Sequence, residues 1–287
     1  MSRNSNRTSV NHKIPQTPNP TLAPPPQQNT NPFNIDLVAA TEVVKLPSEG
    51  RFYHEGSSLH GVSQVEIRHM TAREEDLLSN QQFLLDGSIF TRLLESIIVD
   101  RSINPKDLIS GDRNALLLAA RITGYGNTYV TKAKCGHCGK VAEFSYNLEV
   151  SENSHELPEG VELDEASGLF RFELPKTKME VMARILSAAD EDYLRKQSEK
   201  AESLKLPNNK TINFFRLAVV SVNGVSDQAQ LNQLFEVLPA IDSRKMKKVC
   251  NNLSPDISTK QMVACGSCGE ETESEVPFDL GFFWPDV

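Results

Sequence analysis

Hydrophobic residues make up only 39% of the 287-residue chain, aromatic residues 7%, and tryptophan occurs once. No uninterrupted apolar run approaches the roughly 18 residues needed to cross a bilayer, and the first residues hold no apolar core of the kind a secretory signal requires. A soluble chain made in a reducing cytosol is therefore expected, with no membrane partner. In that compartment the five cysteines serve better as metal ligands or buried thiols than as disulfides. Phosphate loops of the Gly-x-x-x-x-Gly-Lys-Ser/Thr type, Gly-x-Ser-x-Gly elbows and His-Glu-x-x-His pairs are all missing. Nothing in the sequence supports an enzyme, and no catalytic residue is assigned.

Acidic residues are absent before Asp36. The first 34 residues instead hold seven of the 16 prolines, many Asn, Gln, Ser and Thr, and the basic Arg3, Arg7 and Lys13. Such a composition cannot bury enough apolar surface to offset its ordering entropy, so 1–34 is expected to be a disordered Pro/Asn-rich tail. A solvated tether is favoured there over polyproline docking. With 30 basic and 38 acidic residues in all, and three of the basic ones in the tail, the body carries −11 of the chain total of −8. That balance disfavours a protein that coats nucleic acid, while leaving room for a local basic patch.

Order is expected from about residue 35. Glu42-Val-Val-Lys-Leu-Pro, Arg51-Phe-Tyr and Gln64-Val-Glu-Ile-Arg alternate as short strands do, with breaks at Gly56 and Gly61. Thr71 with Glu74 writes a capping box, and 88–99 places Ile89, Leu93, Leu94, Ile97 and Ile98 on one helical face. Asp112 is expected to cap a third helix, which buries Ala115, Leu116, Ala119, Ala120 and Ile122 and stops at Gly124. Strands are predicted at 128–134 and 140–148, then, past an acidic loop, at 168–174 and 178–186. Ser187 with Asp190 caps a helix to about residue 201. Further helices are predicted over 211–222, 228–237 and 243–253, the last capped by Asp242. This order has no regular β-α-β alternation, which argues against a doubly wound sheet.

One motif carries chemistry. Cys135-Gly-His-Cys138-Gly and Cys265-Gly-Ser-Cys268-Gly are the same knuckle written twice. Each Cys-x-x-Cys turns two thiolates toward one point, and the following Gly permits the positive φ that brings backbone N–H groups to the sulfurs. Cys135, Cys138, Cys265 and Cys268 thus make a four-thiolate set suited to one structural Zn²⁺ per chain, although iron also accepts such a set. The knuckles are 126 residues apart, from Gly139 to Ala264, where zinc ribbons often use roughly 15–20. About three doublings of loop length add roughly 2 kcal/mol of closure entropy, against about 10–16 kcal/mol for a structural zinc site. Length does not forbid pairing. Each knuckle could instead close a site with another chain, or act as a redox pair; the doubling favours one intrachain site.

Cys250 reads as a small buried hydrophobe, His137 as a surface imidazole, and His54, His60 and His69 as too irregularly spaced for a second metal. Phe278, Phe282, Phe283 and Trp284 crowd the end of the chain. Chain ends normally fray, so these rings must dock on this protein or on another, which makes Phe282, Phe283 and Trp284 candidate partner-binding residues. The fold class that accommodates all this is α+β: small helical bundles with short antiparallel strands and a zinc ribbon split by a large, mainly helical insertion. Its parts are the 1–34 tail, a strand and helix region at 35–126, ribbon halves at 127–150 and 256–287, and an inserted region at 151–255.

Leu46-Pro-Ser-Glu-Gly with Tyr53, Met70-Thr-Ala-Arg-Glu-Glu-Asp, Gly111-Asp-Arg-Asn-Ala-Leu-Leu-Leu-Ala-Ala-Arg-Ile-Thr-Gly-Tyr-Gly, the two knuckles and the terminal Phe-Phe-Trp-Pro follow one another along the chain. Taken together and in this order, they resemble the baseplate protein family of T-even-type tailed phages. The resemblance runs from about residue 43 to the end. It implies a non-enzymatic role in building the baseplate or its central hub, as an assembly protein, chaperone or minor structural component that binds other tail and hub proteins. The place of action would be the host cytoplasm during assembly, or the tail baseplate of the virion. The zinc expectation rests on this sequence and not on the family. A zinc-ribbon regulator that binds nucleic acid is the alternative, with Lys132, Lys134, Lys140, Arg244, Lys245, Lys247 and Lys248 as its basic face.

Overall fold

The computed structural model describes residues 39–149, 157–277 and 280–283; the expected tail at 1–34 lies outside them. The chain divides into two units, residues 1–38 and residues 39–287. Four small antiparallel sheets and eight α-helices occur among the described residues of the second.

Strands β1 (Thr41–Lys45) and β2 (Gln64–Arg68) pair antiparallel, and β2 turns Val65 and Ile67 inward. The strand expected at 51–53 is instead part of a run of turns. Glu49 and Gly50 both adopt positive φ, 51° and 75°, which ends any extended run. At Gly50 a Cβ would sit 2.3 Å from the Val62 backbone nitrogen, so the chain can fold back here only without a side chain.

Helix α1 (Ala72–Leu78) starts at the expected capping box, where the Thr71 N–H and Oγ donate to Glu74 at 3.0 and 2.6 Å. The buried Glu74 also accepts from Ser96 Oγ at 2.6 Å. Burial alone would raise this carboxyl, but the Ser96 and Thr71 hydrogen bonds outweigh it and hold Glu74 below its ordinary value. Helices α2 (Gln81–Asp86), α3 (Ile89–Ile97) and α4 (Ser110–Tyr125) follow, and α3 buries Ile89, Leu93, Leu94 and Ile97 as the spacing predicts. Asp112 does not cap α4. It lies inside the first turn and points into the core, and the helix runs past Gly124 to stop at Gly126, whose φ is 84°.

Strands β3 (Thr128–Lys134) and β4 (Val141–Asn147) form the expected hairpin, with Tyr129 opposite Tyr146. Strands β5 (Val161–Asp164), β6 (Leu169–Glu173) and β7 (Glu180–Ala183) come next, followed by helices α5 (Ala188–Ser203) and α6 (Lys210–Ala218) and by strand β8 (Val219–Val222). These four strands make one sheet in the order β5-β6-β7-β8. Two of them correct the sequence reading. Strand β5 lies where an acidic loop was expected, because Glu162 and Asp164 face solvent while Val161 and Leu163 turn toward the core opposite Phe172 and Phe170. Strand β8 replaces the end of a helix expected to reach residue 222, since its valines pair with β7, Val222 opposite Val181.

Helices α7 (Gln228–Val237) and α8 (Ala240–Asn251) and strands β9 (Gln261–Ala264) and β10 (Glu271–Ser274) follow, and Leu280–Phe283 is a turn of 3₁₀-helix. Helix α8 begins at Ala240, with Pro239 at its N-cap position, earlier than expected. Asp242 is not its cap; its carboxylate accepts from the Lys176 and Thr177 N–H groups at 2.8 and 3.0 Å.

The segment between the knuckles packs on what precedes it. Phe52 stacks on Phe170 with centroids 5.5 Å apart, and the Ala188 N–H donates to Leu108 O at 2.8 Å. Ser110 and Arg113 both reach Glu191. The tightest approach is at Gly111, where an added Cβ would lie 1.8 Å from Pro255 O. Both partners there are backbone, so neither can swing aside. Gly111→Ala is expected to destabilise the chain by about 1–3 kcal/mol or more, read as a lower denaturation midpoint with an unchanged slope.

Candidate metal centre

Each knuckle sits at the tip of a hairpin. Between β3 and β4 the Cys135 N–H donates to Lys140 O at 2.9 Å and the Gly139 N–H to Cys135 O at 3.0 Å. Between β9 and β10 the same two bonds recur, from Cys265 N–H to Glu270 O at 2.9 Å and from Gly269 N–H to Cys265 O at 2.8 Å. Gly139 and Gly269 have φ of 69° and 73°, the left-handed turn that the sequence pattern predicts.

The two hairpins lie side by side. The Gly266 N–H donates to Glu143 O at 3.2 Å, a Cβ at Gly266 would be 3.1 Å from the same oxygen, and Tyr146 Oη shares a hydrogen bond of 2.9 Å with Ser274 Oγ. Gln261 grips Asn147 from both sides, accepting from its N–H at 2.9 Å and donating to its carbonyl at 3.0 Å. This lateral contact closes the 126-residue gap, and the ligand atoms of Cys135, Cys138, Cys265 and Cys268 all lie within 4.8 Å of one another. A tetrahedral ion with metal–sulfur bonds of about 2.3 Å needs sulfurs about 3.8 Å apart, so small side-chain adjustments suffice to close the set. Among the described residues these four form the one group of three or more His, Cys, Asp or Glu side chains placed to share an ion.

The electrostatics suit a cation. The Cys138 and His137 N–H groups hold Cys135 below the ordinary thiol value, and those of Ser267 and Cys268 bring Cys265 down to about 7. Cys268 goes the other way. The Glu270 N–H favours its thiolate, but desolvation and the neighbouring sulfurs outweigh that and push it up to about 11. Four crowded thiols cannot all ionise beside one another without positive charge among them. Cys135 and Cys265 are buried, Cys138 is half-buried, Cys268 is exposed, and His137 is exposed and is no member of the group. Cys250 is buried on the inward face of α8, and desolvation pushes its thiol up to about 12, which fits an inert core residue.

Phe282 and Phe283 are each 1% exposed. Phe282 sits edge-on to Tyr129 at 5.2 Å, and Phe283 lies 5.7 Å from Phe90. Docking on this protein is thus what the described rings do. Trp284, the third of the candidate partner-binding residues, lies outside the described residues. Their receptor went unnoticed in the sequence: Arg121, 1% exposed in the middle of α4, donates to Phe282 O at 2.9 Å and to Gly126 O at 3.3 Å. Its guanidinium also lies 4.8 Å from the centre of the Tyr125 ring. An arginine on an otherwise apolar helix face, followed by Tyr125 and Tyr129, was the available signal.

The sequence blocks beginning at Leu46 and Gly111 meet at a buried carboxylate. Asp112 accepts from the Ser48 N–H at 3.0 Å, from Ser48 Oγ at 2.6 Å and from the Tyr53 hydroxyl at 2.6 Å. Tyr53 Oη in turn accepts from the Ile109 N–H at 3.1 Å.

Comparison with known proteins gives one match. A family described as T4 bacteriophage base plate protein matches residues 38–284. No curated protein and no solved structure matches the chain.

Proposed function

Because that match spans most of its length, the chain belongs to the T4-type baseplate protein family, and we propose that it works as a baseplate hub assembly protein by binding other tail proteins. Membership makes it a phage baseplate protein that interacts with other phage structural proteins, and it points to a structural or assembly role instead of an enzymatic one. No helix among the described residues is long and apolar enough to cross a membrane. The chain acts, on this reading, in the host cytoplasm while the tail is built.

Zinc is the metal we assign to Cys135, Cys138, Cys265 and Cys268, one ion per chain. Bound zinc would cross-link the two hairpins. Four thiolates leave a tetrahedral ion no open position for water or substrate, so the centre supports structure and not catalysis. The single observation that carries this reading is the meeting of two distant knuckles into one closed donor set on a chain of this family. The resulting ribbon, split by the residues between the knuckles, would fix the inserted region against the N-terminal one.

Co-expression of the full chain with the other tail proteins, followed by affinity capture and mass spectrometry, tests the role. Retention of one or more baseplate proteins is expected. Failure to retain any of them, together with salt-sensitive retention on DNA, would replace this reading with a nucleic-acid-binding regulator.

A further inference from the structure

Helix α8 carries Arg244, Lys245, Lys247 and Lys248 within five residues. Arg244, Lys247 and Lys248 are exposed and Lys245 is half-buried. Some exposed cations are paired, as Lys132 is with Glu143 and Lys210 with Glu202, while others, such as Arg73, Lys106 and Lys205, take no ion pair among the described residues; helix α8 is set apart by holding four cations within five residues. These four have no ion pair or hydrogen bond among the described residues. Spacings of three and four residues set Arg244 against Lys247 and Lys248, and Lys245 against Lys248, so like charges repel along one face. The one carboxylate of the helix, Asp242, is buried and committed to the Lys176 and Thr177 N–H groups. Lys248 complements the C-terminal end of the helix dipole. Nothing of that kind serves the other three.

The cations do not stand alone. Ile241, three and four residues before Arg244 and Lys245 on the same face, is 57% exposed, and Val237, at the corner between α7 and α8, is 77% exposed. Glu236 beside it is exposed and takes no ion pair among the described residues. An unneutralised basic face bordered by bare aliphatic side chains, on a body of charge −11, complements a surface that is both acidic and apolar. Phosphate backbones offer the charge without apolar groups. A face for single-stranded nucleic acid would also use exposed aromatic side chains for stacking, whereas the one aromatic of α7 and α8, Phe235, is buried.

We propose that this face of α8, with Val237 and Ile241 at its edge, is the docking surface for an acidic amphipathic segment of a partner protein in the baseplate. The assignment rests on the assembly role argued above and names the chemistry of the partner.

The test uses three fluorescent probes and the full chain: a synthetic helical peptide with Glu on one face and Leu on the other, a poly-glutamate peptide of equal length, and a short DNA duplex. The Glu/Leu peptide should bind best. The triple variant Arg244→Glu, Lys247→Glu, Lys248→Glu should weaken it by about tenfold or more, with the loss growing as salt is lowered. Val237→Ser with Ile241→Ser should weaken the Glu/Leu peptide severalfold and leave poly-glutamate unchanged. Circular dichroism and metal content should stay those of the parent, since every substituted side chain is exposed. Equal peptide binding by the triple variant, tighter binding to DNA than to peptide, or concentration-dependent self-association abolished by the triple variant would each overturn the proposal. The same variant separates the two readings. Tail proteins captured equally by parent and triple variant would sink the surface and leave the assembly role; peptide binding lost in the variant, with no tail protein captured by either, would sink the role and leave the surface.

Discussion

Cys265→Ser is expected to strip the purified protein of zinc and to separate the two hairpins. Three thiolates and a serine hydroxyl make a much poorer donor set, because the hydroxyl does not ionise near neutral pH as a thiol held near 7 does. The loss of metal affinity should exceed the roughly 10–100-fold that removal of a ligand's hydrogen-bond partner costs. Element analysis should fall from one zinc per chain to a trace. Thermal unfolding should move to lower temperature and lose its sensitivity to added chelator, since a chain with no bound ion gains no stability from one. Cys250→Ser is the control. Cys250 lies outside the cluster, so its variant should keep the full metal content even if loss of a buried side chain lowers stability. Full zinc retained by Cys265→Ser would overturn the four-cysteine site.

The candidate metal centre was legible because a Cys-x-x-Cys-Gly knuckle specifies its own turn. Both knuckles show the bonds and the positive-φ glycine that the motif encodes, and the long gap between them was no obstacle. Capping boxes were legible for the same reason: Thr71 and Glu74, and Ser187 and Asp190, lie three residues apart and find each other locally. Asp112 and Asp242 occupy positions that look like caps as well, yet their carboxylates serve N–H groups 64 and 66 residues away. No local pattern distinguishes the two cases. Likewise the valines of β8 read as the end of a helix until β7 is beside them, and Phe282 and Phe283 read as rings docked either on this protein or on another until Arg121, Tyr129 and Phe90 are known to receive them. What the sequence hid was in each instance a contact between residues far apart in the chain.

Asp112 shows how much such a hidden contact should be worth. Its carboxylate is fully buried and takes three hydrogen bonds from Ser48 and Tyr53. Asp112→Ala would leave the Ser48 N–H and the Tyr53 hydroxyl buried without an acceptor, a loss of about 3–5 kcal/mol by the usual cost of orphaned partners in a buried network. Tyr53→Phe removes one donor to Asp112 and the acceptor of the Ile109 N–H, and should cost less, about 1–3 kcal/mol. Asp112→Asn keeps the shape and tests the charge. Desolvation raises the Asp112 carboxyl above its ordinary value, and the hydrogen bonds from Ser48 and Tyr53 only partly offset this. A carboxyl raised in the folded state binds its proton more tightly there than in the unfolded chain. Its contribution is therefore fully present at pH below the ordinary aspartate range and is lost as pH rises through the higher folded value. Asparagine does not titrate, so the stability advantage of the parent over Asp112→Asn should be largest in acid and shrink as pH rises. Urea unfolding of both proteins across that range measures it. An advantage that grows with pH would mean that the ionised carboxylate is the favoured form in the core, and that Ser48 and Tyr53 outweigh its burial.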